Sequence, residues 1–151
     1  MELFIEKLHQ MLWIEQTLAD ELLPLVYERV HAVDLKYGVE RHQRETKQHV
    51  MTVRTCLNHL GERQVGIESP ALLGLQQELG DGDLALADFL AKGEHLEIAA
   101  YTWLRTTANA LGEEDLALRL TGVLEQEEYA LELVQKATAK ILAESVSATA
   151  A

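Results

Sequence analysis

Residues 94–101, EHLEIAAY, place two glutamates in the middle of a long apolar pattern. Outward from this stretch, apolar side chains recur at steps of three and four, from Ala87 before it to Leu111 after it. Such steps follow one face of an α-helix. Glu94 and Glu97 fall on that face, where a helix of a globular protein ordinarily carries apolar residues. The pattern predicts a long helix over residues 83–111 with two carboxylates on its inner face.

Three further long helices are predicted from the same kind of stripe, over about residues 2–31, 34–60 and 113–143. Pro24 interrupts the first stripe and predicts a kink, because proline removes one helical hydrogen bond and crowds the preceding turn. Asp34 is expected at the start of the second helix, either as its N-cap or in its first turn.

The connections between these helices predict how they are arranged. The first and second helices are joined by a few residues, as are the third and fourth, and short links make antiparallel neighbours. About 20 residues, 62–82, separate the second helix from the third, with a short helix expected over residues 71–79. Two hairpins joined by one long crossover predict an all-α, ferritin-like four-helix bundle over residues 1–144. Residues 145–151 are expected to form a disordered tail.

Glutamates also interrupt the inward stripes of the other helices. Glu15 does so in the first helix and Glu127 in the fourth, while the second offers Glu45 or Thr46. Glu15, Glu45, Glu94 and Glu127 lie about 17–21 Å from the start of their helices, at a rise of ~1.5 Å per residue. Antiparallel packing therefore predicts that the four carboxylates meet at one level near the middle of the bundle.

Carboxylates buried together repel one another and take up protons unless cations hold them. A pair of iron or manganese ions suits a set of carboxylates with a few imidazoles. We therefore predict a site for two metal ions, most suitably iron, with manganese as the alternative. His42 and His95 are expected to be structural or surface groups. The predicted metal ligands are Glu15, Glu45, His49, Glu94, Glu97 and Glu127.

Three alternatives remain open at this point. Any single glutamate on such a stripe ordinarily lies at the edge of a bundle with its carboxylate in water. The protein could also be a non-enzymatic stress or interaction protein whose metal site is degenerate or empty. A third reading is a structural helical dimer in which the glutamates lie at the seam between subunits.

Composition excludes several other classes of function. The chain has 151 residues and a net charge of −12, and it has no Lys/Arg cluster that could follow a nucleic-acid backbone. No apolar run approaches the ~18 residues of a membrane span, and the first residues lack a signal-peptide pattern, so a cytoplasmic protein is expected. The single cysteine, Cys56, is expected in the core. No nucleophile triad, phosphate-binding glycine loop or zinc-type cysteine pattern is present.

The sequence also resembles the YciF/YciE-like family of bacterial ferritin-like proteins along nearly its whole length. The segments that carry the resemblance keep the family's order and spacing. They are Leu3-Phe4, Glu15-Gln16, residues 42–50 (HQRETKQHV), Leu60-Gly61-Glu62, residues 94–101, Leu111-Gly112 and Glu127-Glu128. The family is similar to rubrerythrin and ferritin in fold, and the resemblance implies a homodimer associated with bacterial stress responses.

The resemblance implies that Glu15, Glu45, Glu94, Glu97 and Glu127 fall on carboxylate ligand positions of a di-iron site. The chain departs from the usual di-iron pattern, which has Glu-x-x-His on the second and fourth helices. Counted from Glu45 and Glu127, the expected histidine positions hold Gln48 and Ala130. The predicted cluster is therefore rich in carboxylates and poor in nitrogen. The chemistry that such a site permits is oxidation of Fe(II) by peroxide or oxygen.

Overall fold

Four long helical arms form two hairpins, as seen in a computed structural model that describes residues 1–150. The first arm consists of α1 (Glu2–Thr17), a π-helical turn (Leu18–Leu22) and α2 (Leu23–Arg29). The others are α3 (Val33–His59), α5 (Asp83–Ala110) and α6 (Glu114–Ala150), with the short α4 (Pro70–Gln76) in the crossover. The predicted all-α bundle of two hairpins joined by a long crossover is confirmed.

A π-helical turn accommodates the proline of the first arm. Pro24 is the second residue of α2, directly after the turn Leu18–Leu22, and the backbone N–H of Leu23 donates to the carbonyl oxygen of Leu18. This bond spans five residues rather than four, which is the pattern of a π-helix. Pro24, which has no N–H to donate, thus follows a locally widened turn, and the arm continues as a helix to Arg29.

A carboxylate from α5 holds the turn between α2 and α3. The backbone N–H groups of His31 and Ala32 donate to the two carboxylate oxygens of Asp83, each at 2.8 Å. Asp34 lies in the first turn of α3, as one of the two predicted placements has it, and Lys140 of α6 donates to its carboxylate at 2.8 Å. The start of α5 is therefore hydrogen-bonded to the turn of the first hairpin, which fixes the position of α5 along the bundle axis relative to α2 and α3.

The crossover packs closely against α1. The N–H of Ile67 donates to the carbonyl oxygen of His9 at 3.0 Å, and the His9 ring nitrogen Nδ1 lies 2.6 Å from the carbonyl oxygen of Val65. Between these contacts, Gly66 lies so near α1 that an added Cβ would stand 2.9 Å from the Cβ of Trp13. The crossover is thus fixed to the helix that carries Glu15.

The core is apolar, with Cys56 buried in it as predicted. The helix α6 continues through residues 145–150, where the sequence predicts a disordered tail. Residues 145–150 contain no glycine or proline that would end a helix, and their side chains are exposed. Ala151 lies outside the described residues. Among residues 1–150, no helix combines the length and the apolar composition that a bilayer crossing requires.

Candidate metal centre

Six ionisable side chains meet inside the bundle, and each long helical arm supplies at least one. All six are 5% exposed or less, which is unusual for charged groups. They are Glu15 from α1, His42 and His49 from α3, Glu94 and Glu97 from α5, and Glu127 from α6. Because they are buried within a single chain, the alternative that places the glutamates at a subunit seam is wrong.

Helix geometry explains how α3 and α5 present two groups each. Glu94 and Glu97 are three residues apart, and residues at this spacing lie on one helix face. His42 and His49 are seven residues apart, or about two helical turns, so they also share a face. Thr46 lies between the two histidines, fully buried, and its hydroxyl donates to the carbonyl oxygen of His42 at 2.7 Å.

Four of the six side chains form a first group around His42. The His42 Nε2 atom lies 2.9 Å from Glu94 Oε1, 3.8 Å from Glu97 Oε2 and 4.0 Å from Glu127 Oε2. One ligand atom from each of these residues falls within 4.8 Å of the other three. We call His42, Glu94, Glu97 and Glu127 the His42 group.

A second group surrounds His49 and shares Glu127 with the first. The His49 Nδ1 atom lies 2.8 Å from Glu127 Oε1 and 3.6 Å from Glu15 Oε1. Ligand atoms of Glu15, His49 and Glu127 also lie within 4.8 Å of one another. We call these three residues the His49 group. Glu127 thus presents one oxygen to each histidine.

Seven buried side-chain atoms of this cluster have no hydrogen-bond partner. They are Glu15 Oε2, His42 Nδ1, His49 Nδ1, Glu94 Oε2, Glu97 Oε1, and Glu127 Oε1 and Oε2. The short approach of His49 Nδ1 to Glu127 does not have the angles of a hydrogen bond. Since buried polar atoms are ordinarily paired, so many unpaired oxygens and imidazole nitrogens in one place require an explanation.

The pKa values of the two histidines show how strongly the carboxylates act on them. Burial disfavours a charged His42, but the charges of Glu94 and Glu127 outweigh burial and raise the pKa of His42 to about 9. Burial likewise disfavours a charged His49, but the adjacent carboxylates of Glu127 and Glu15 outweigh it and raise the pKa of His49 to about 11. Without a metal, both rings are therefore positively charged imidazolium groups at neutral pH.

The pKa values of the buried carboxyl groups shift in opposite directions, upward for Glu94 and Glu97 and downward for Glu127. Burial raises the pKa of Glu94 well above its ordinary value, against the opposing charge of His42. Burial and the charge of Glu127 together raise the pKa of Glu97. Burial would raise the pKa of Glu127 as well, but the charges of His42 and His49 dominate and lower it to about 2. Glu127 is therefore the carboxylate that stays ionised between the two histidines.

Two neighbouring side chains hold members of the His49 group. The hydroxyl of Tyr101, itself fully buried, donates to Glu15 Oε1 at 2.5 Å. On the opposite side of the His49 ring, Nε2 lies 2.7 Å from Gln126 Oε1. Gln126 is not among the predicted site residues.

The structure brings together five of the six predicted ligands and leaves Glu45 outside. The Glu45 side chain is 12% exposed, and its carboxylate accepts a hydrogen bond at 2.9 Å from Nε of Arg41, outside the cluster. The prediction that Glu45 belongs to the cluster is wrong, because one residue along a helix turns the side chain by about 100°. Position 46 faces inward instead, so a threonine occupies the place expected for a glutamate.

His42 lies in the cluster although it is not among the predicted metal ligands. It was expected to be structural or on the surface, together with His95, and only His95 is exposed. The sequence contains the pattern that places His42 inside the bundle, because Val39, His42, Thr46 and His49 follow one another at steps of three, four and three. With His42 included, the cluster contains two imidazoles and is richer in nitrogen than predicted.

The donor chemistry of the cluster suits a divalent metal ion. Carboxylate oxygens and imidazole nitrogens are the ligands that iron and manganese take in helical bundles. A cation placed among these groups would pair the buried atoms that lack hydrogen bonds and would offset the repulsion between carboxylates. Both the His42 group and the His49 group could therefore bind a metal.

Comparison with solved structures finds the same fold in several bacterial proteins. YcfI from Rhodopseudomonas palustris is 27% identical to the chain, with a TM-score of 0.84, and the alignment covers 89% of this chain and 91% of that one. The Escherichia coli stress protein YciF is 23% identical, with a TM-score of 0.84 and coverages of 91% and 92%. A ferritin-like, diiron-carboxylate protein of Bacillus anthracis is 16% identical, with a TM-score of 0.76 and coverages of 91% and 96%.

These similarities establish the ferritin-like fold that the helix pattern predicted. No curated protein matches the chain. The family described as "Domain of unknown function (DUF892)" matches residues 1–147, nearly the whole sequence. With the structural similarity to YciF, this match confirms the resemblance drawn from the sequence motifs. The chain is therefore a member of the DUF892 family of ferritin-like proteins.

Proposed function

We propose that this protein binds two metal ions, most suitably iron, in the buried cluster and oxidises Fe(II) with peroxide or oxygen. Manganese is the alternative metal. The observation that carries the proposal is the position of Glu127, which belongs to both the His42 group and the His49 group. A carboxylate with one oxygen toward each group is suited to lie between two metal ions.

Charge balance supports two ions rather than one. Glu15, Glu94, Glu97 and Glu127 carry four negative charges when all are ionised, and two divalent cations carry four positive charges. A cluster buried this deeply is costly unless its net charge is near zero. Each group also contains one histidine, so each ion would have a nitrogen ligand beside its carboxylates.

A pair of irons held by these residues would supply one electron each to peroxide or dioxygen. The residues of the chain provide the setting for that chemistry. His42 and His49 anchor the two groups from α3, and Tyr101 holds Glu15 by donating its hydroxyl hydrogen to the carboxylate. The surrounding apolar core limits the access of water, which strengthens electrostatic interactions within the site.

A second candidate function is a non-enzymatic stress or interaction protein with an empty site. One observation favours it: the raised pKa values of His42 and His49 allow two imidazolium charges to offset carboxylates without a metal. The buried Ala130, at the position where Glu-x-x-His would place a histidine on α6, agrees with a degenerate site. In both proposals the similarity to the E. coli stress protein YciF supports a role in stress response.

Rapid-mixing measurements of Fe(II) oxidation test the proposed activity. Protein loaded anaerobically with about two Fe(II) per chain is mixed with peroxide or with oxygenated buffer, and ferric absorbance is followed. We expect oxidation well above that of Fe(II) in buffer, abolished in Glu127→Gln and retained in Glu128→Gln, which changes an exposed neighbour on the same helix. A wild-type rate equal to that in buffer would refute the proposed activity.

A further inference from the structure

We infer that Gln126 is a positioning residue that fixes the ring of His49 with Nδ1 directed toward Glu15 and Glu127. The inference rests on the proposed metal site and adds a residue that is not itself a ligand. Its basis is the 2.7 Å contact between His49 Nε2 and Gln126 Oε1, on the side of the ring that faces away from the cluster.

The chemistry of the amide determines which nitrogen of His49 is free. An amide oxygen can only accept a hydrogen bond, so Nε2 of His49 carries the hydrogen and donates it to Gln126. A neutral imidazole with its hydrogen on Nε2 has its lone pair on Nδ1. That atom lies 2.8 Å from Glu127 Oε1 and 3.6 Å from Glu15 Oε1. Gln126 therefore selects the tautomer in which His49 can bind a metal within its own group.

His42 provides an internal comparison. It faces its carboxylates through Nε2, and its other nitrogen, Nδ1, has no hydrogen-bond partner. The two groups thus differ in how their imidazoles are held, because an amide contacts Nε2 of His49 whereas Nδ1 of His42 has no hydrogen-bond partner. Partners of this kind orient ligand rings and raise their basicity, and losing one typically weakens metal binding by about 10–100-fold. Loss of the amide should therefore affect only the ion of the His49 group.

The position of Gln126 separates this role from core packing. Gln126 is partly exposed and lines a surface depression of about 330 Å³ between α3 and α6. Gln48 lines the same depression, and its side chain is exposed. A substitution at either position should leave the apolar core intact. Gln48 therefore offers a control that alters the same surface without changing the bond to His49.

Cobalt(II) is a suitable probe, because its visible absorption reports the ligands and geometry of each ion. Metal-free wild type, Gln126→Leu, Gln126→Glu and Gln48→Leu are titrated with Co(II), and both affinity and spectrum are recorded. For Gln126→Leu we expect one of the two ions to bind about 10–100-fold more weakly, with a changed absorption band. Gln126→Glu, which still accepts a hydrogen bond from Nε2, should retain binding, and Gln48→Leu should match the wild type.

Three outcomes would overturn the inference. Equal affinity and spectrum in Gln126→Leu and wild type would show that the amide does not position His49. Equal weakening of both ions, or the same loss in Gln48→Leu, would show a general effect on the fold. A wild type that binds no Co(II) would remove the proposed metal site and this inference with it, whereas normal binding that is insensitive to Gln126 would remove the inference alone.

Discussion

Metal binding to this cluster should release protons, so affinity should rise steeply with pH. The pKa values of His42 and His49, about 9 and about 11, keep both imidazoles protonated at neutral pH in the metal-free protein. Burial also raises the pKa values of Glu94 and Glu97, which favours the protonated form of those carboxyls. Metal ligands must be deprotonated, so each of these protons has to leave when the ions bind.

The number of protons sets the size of the effect. The two imidazolium groups alone give about two protons per chain, and protonation of Glu94 or Glu97 would add to that number. A release of n protons raises the binding constant by about 10ⁿ-fold per pH unit. Between pH 6 and 8, each unit should therefore strengthen the combined binding of the two ions by at least ~100-fold, or about 10-fold per ion. The direction is fixed by the raised pKa values, because lower pH favours the protonated, metal-free cluster.

Calorimetry in two buffers counts these protons. Metal-free protein is titrated with Mn(II) at pH 7 in buffers of low and high ionisation enthalpy, and the difference in measured heat gives the protons released per chain. Glu94→Gln, which removes one ionisable ligand, should bind more weakly and release fewer protons. Binding of about two ions with no proton release would refute the protonation states assigned to His42 and His49.

Three further outcomes follow from other parts of the structure. The metal-free protein should be more stable to denaturant at pH 6 than at pH 9. The pKa values of His42 and Glu94 are raised in the folded protein. Their contribution to stability is therefore full below the pKa values of the unfolded chain and is lost as pH rises through the pKa values of the folded protein. Equal stability at both pH values would contradict this. Gly66→Ala should lower the free energy of unfolding by about 1–3 kcal/mol, because its Cβ would meet Trp13. Gly74→Ala, with open space around it in α4, should be neutral or stabilising. An unchanged free energy of unfolding in Gly66→Ala would show that the crossover can move. Glu45→Ala should bind metal like the wild type in a Co(II) titration, since its carboxylate pairs with Arg41 outside the cluster, and a loss of binding would return Glu45 to the ligand set.

The sequence predicted the fold well, because the signals for it are regular. Steps of three and four define each helix face, and glycines follow the ends of two helices, where Gly61 and Gly112 adopt positive φ angles of 75° and 76°. The long segment between the hairpins predicted the crossover. The π-helical turn before Pro24 was not foreseeable from periodicity, since a proline can be accommodated by a kink or by a local widening.

The candidate site was predicted less completely, for reasons of geometry. Glutamates on the stripes of α1, α5 and α6 identified four of the buried carboxylates correctly. On α3 the chemistry of Glu45 suggested a ligand, but strict steps of three and four through Val39, His42 and Thr46 would have selected position 46. The expected homodimer, the cytoplasmic location and the domain limit at residue 144 stay predictions.

Gln126 shows where sequence reasoning ends. It precedes Glu127 on α6 and lies off the inward stripe, so periodicity assigns it to the surface. Its contact with His49 joins residues that are 77 positions apart, and it depends on how α3 and α6 pack. Only three-dimensional placement shows that this amide faces the outer nitrogen of a buried imidazole.

The most direct test of the account is the iron content of the chain after anaerobic incubation with Fe(II) and desalting. Purification without an affinity tag, together with a Glu94→Gln/Glu127→Gln variant whose folding is checked by circular dichroism, makes the measurement specific to the cluster. We predict about two irons per chain in the wild type, matching its two ligand groups, and a loss of most of that iron in the variant. Less than about a tenth of an iron per chain in the wild type, or equal iron in both proteins, would contradict the proposal that this bundle holds a pair of metal ions.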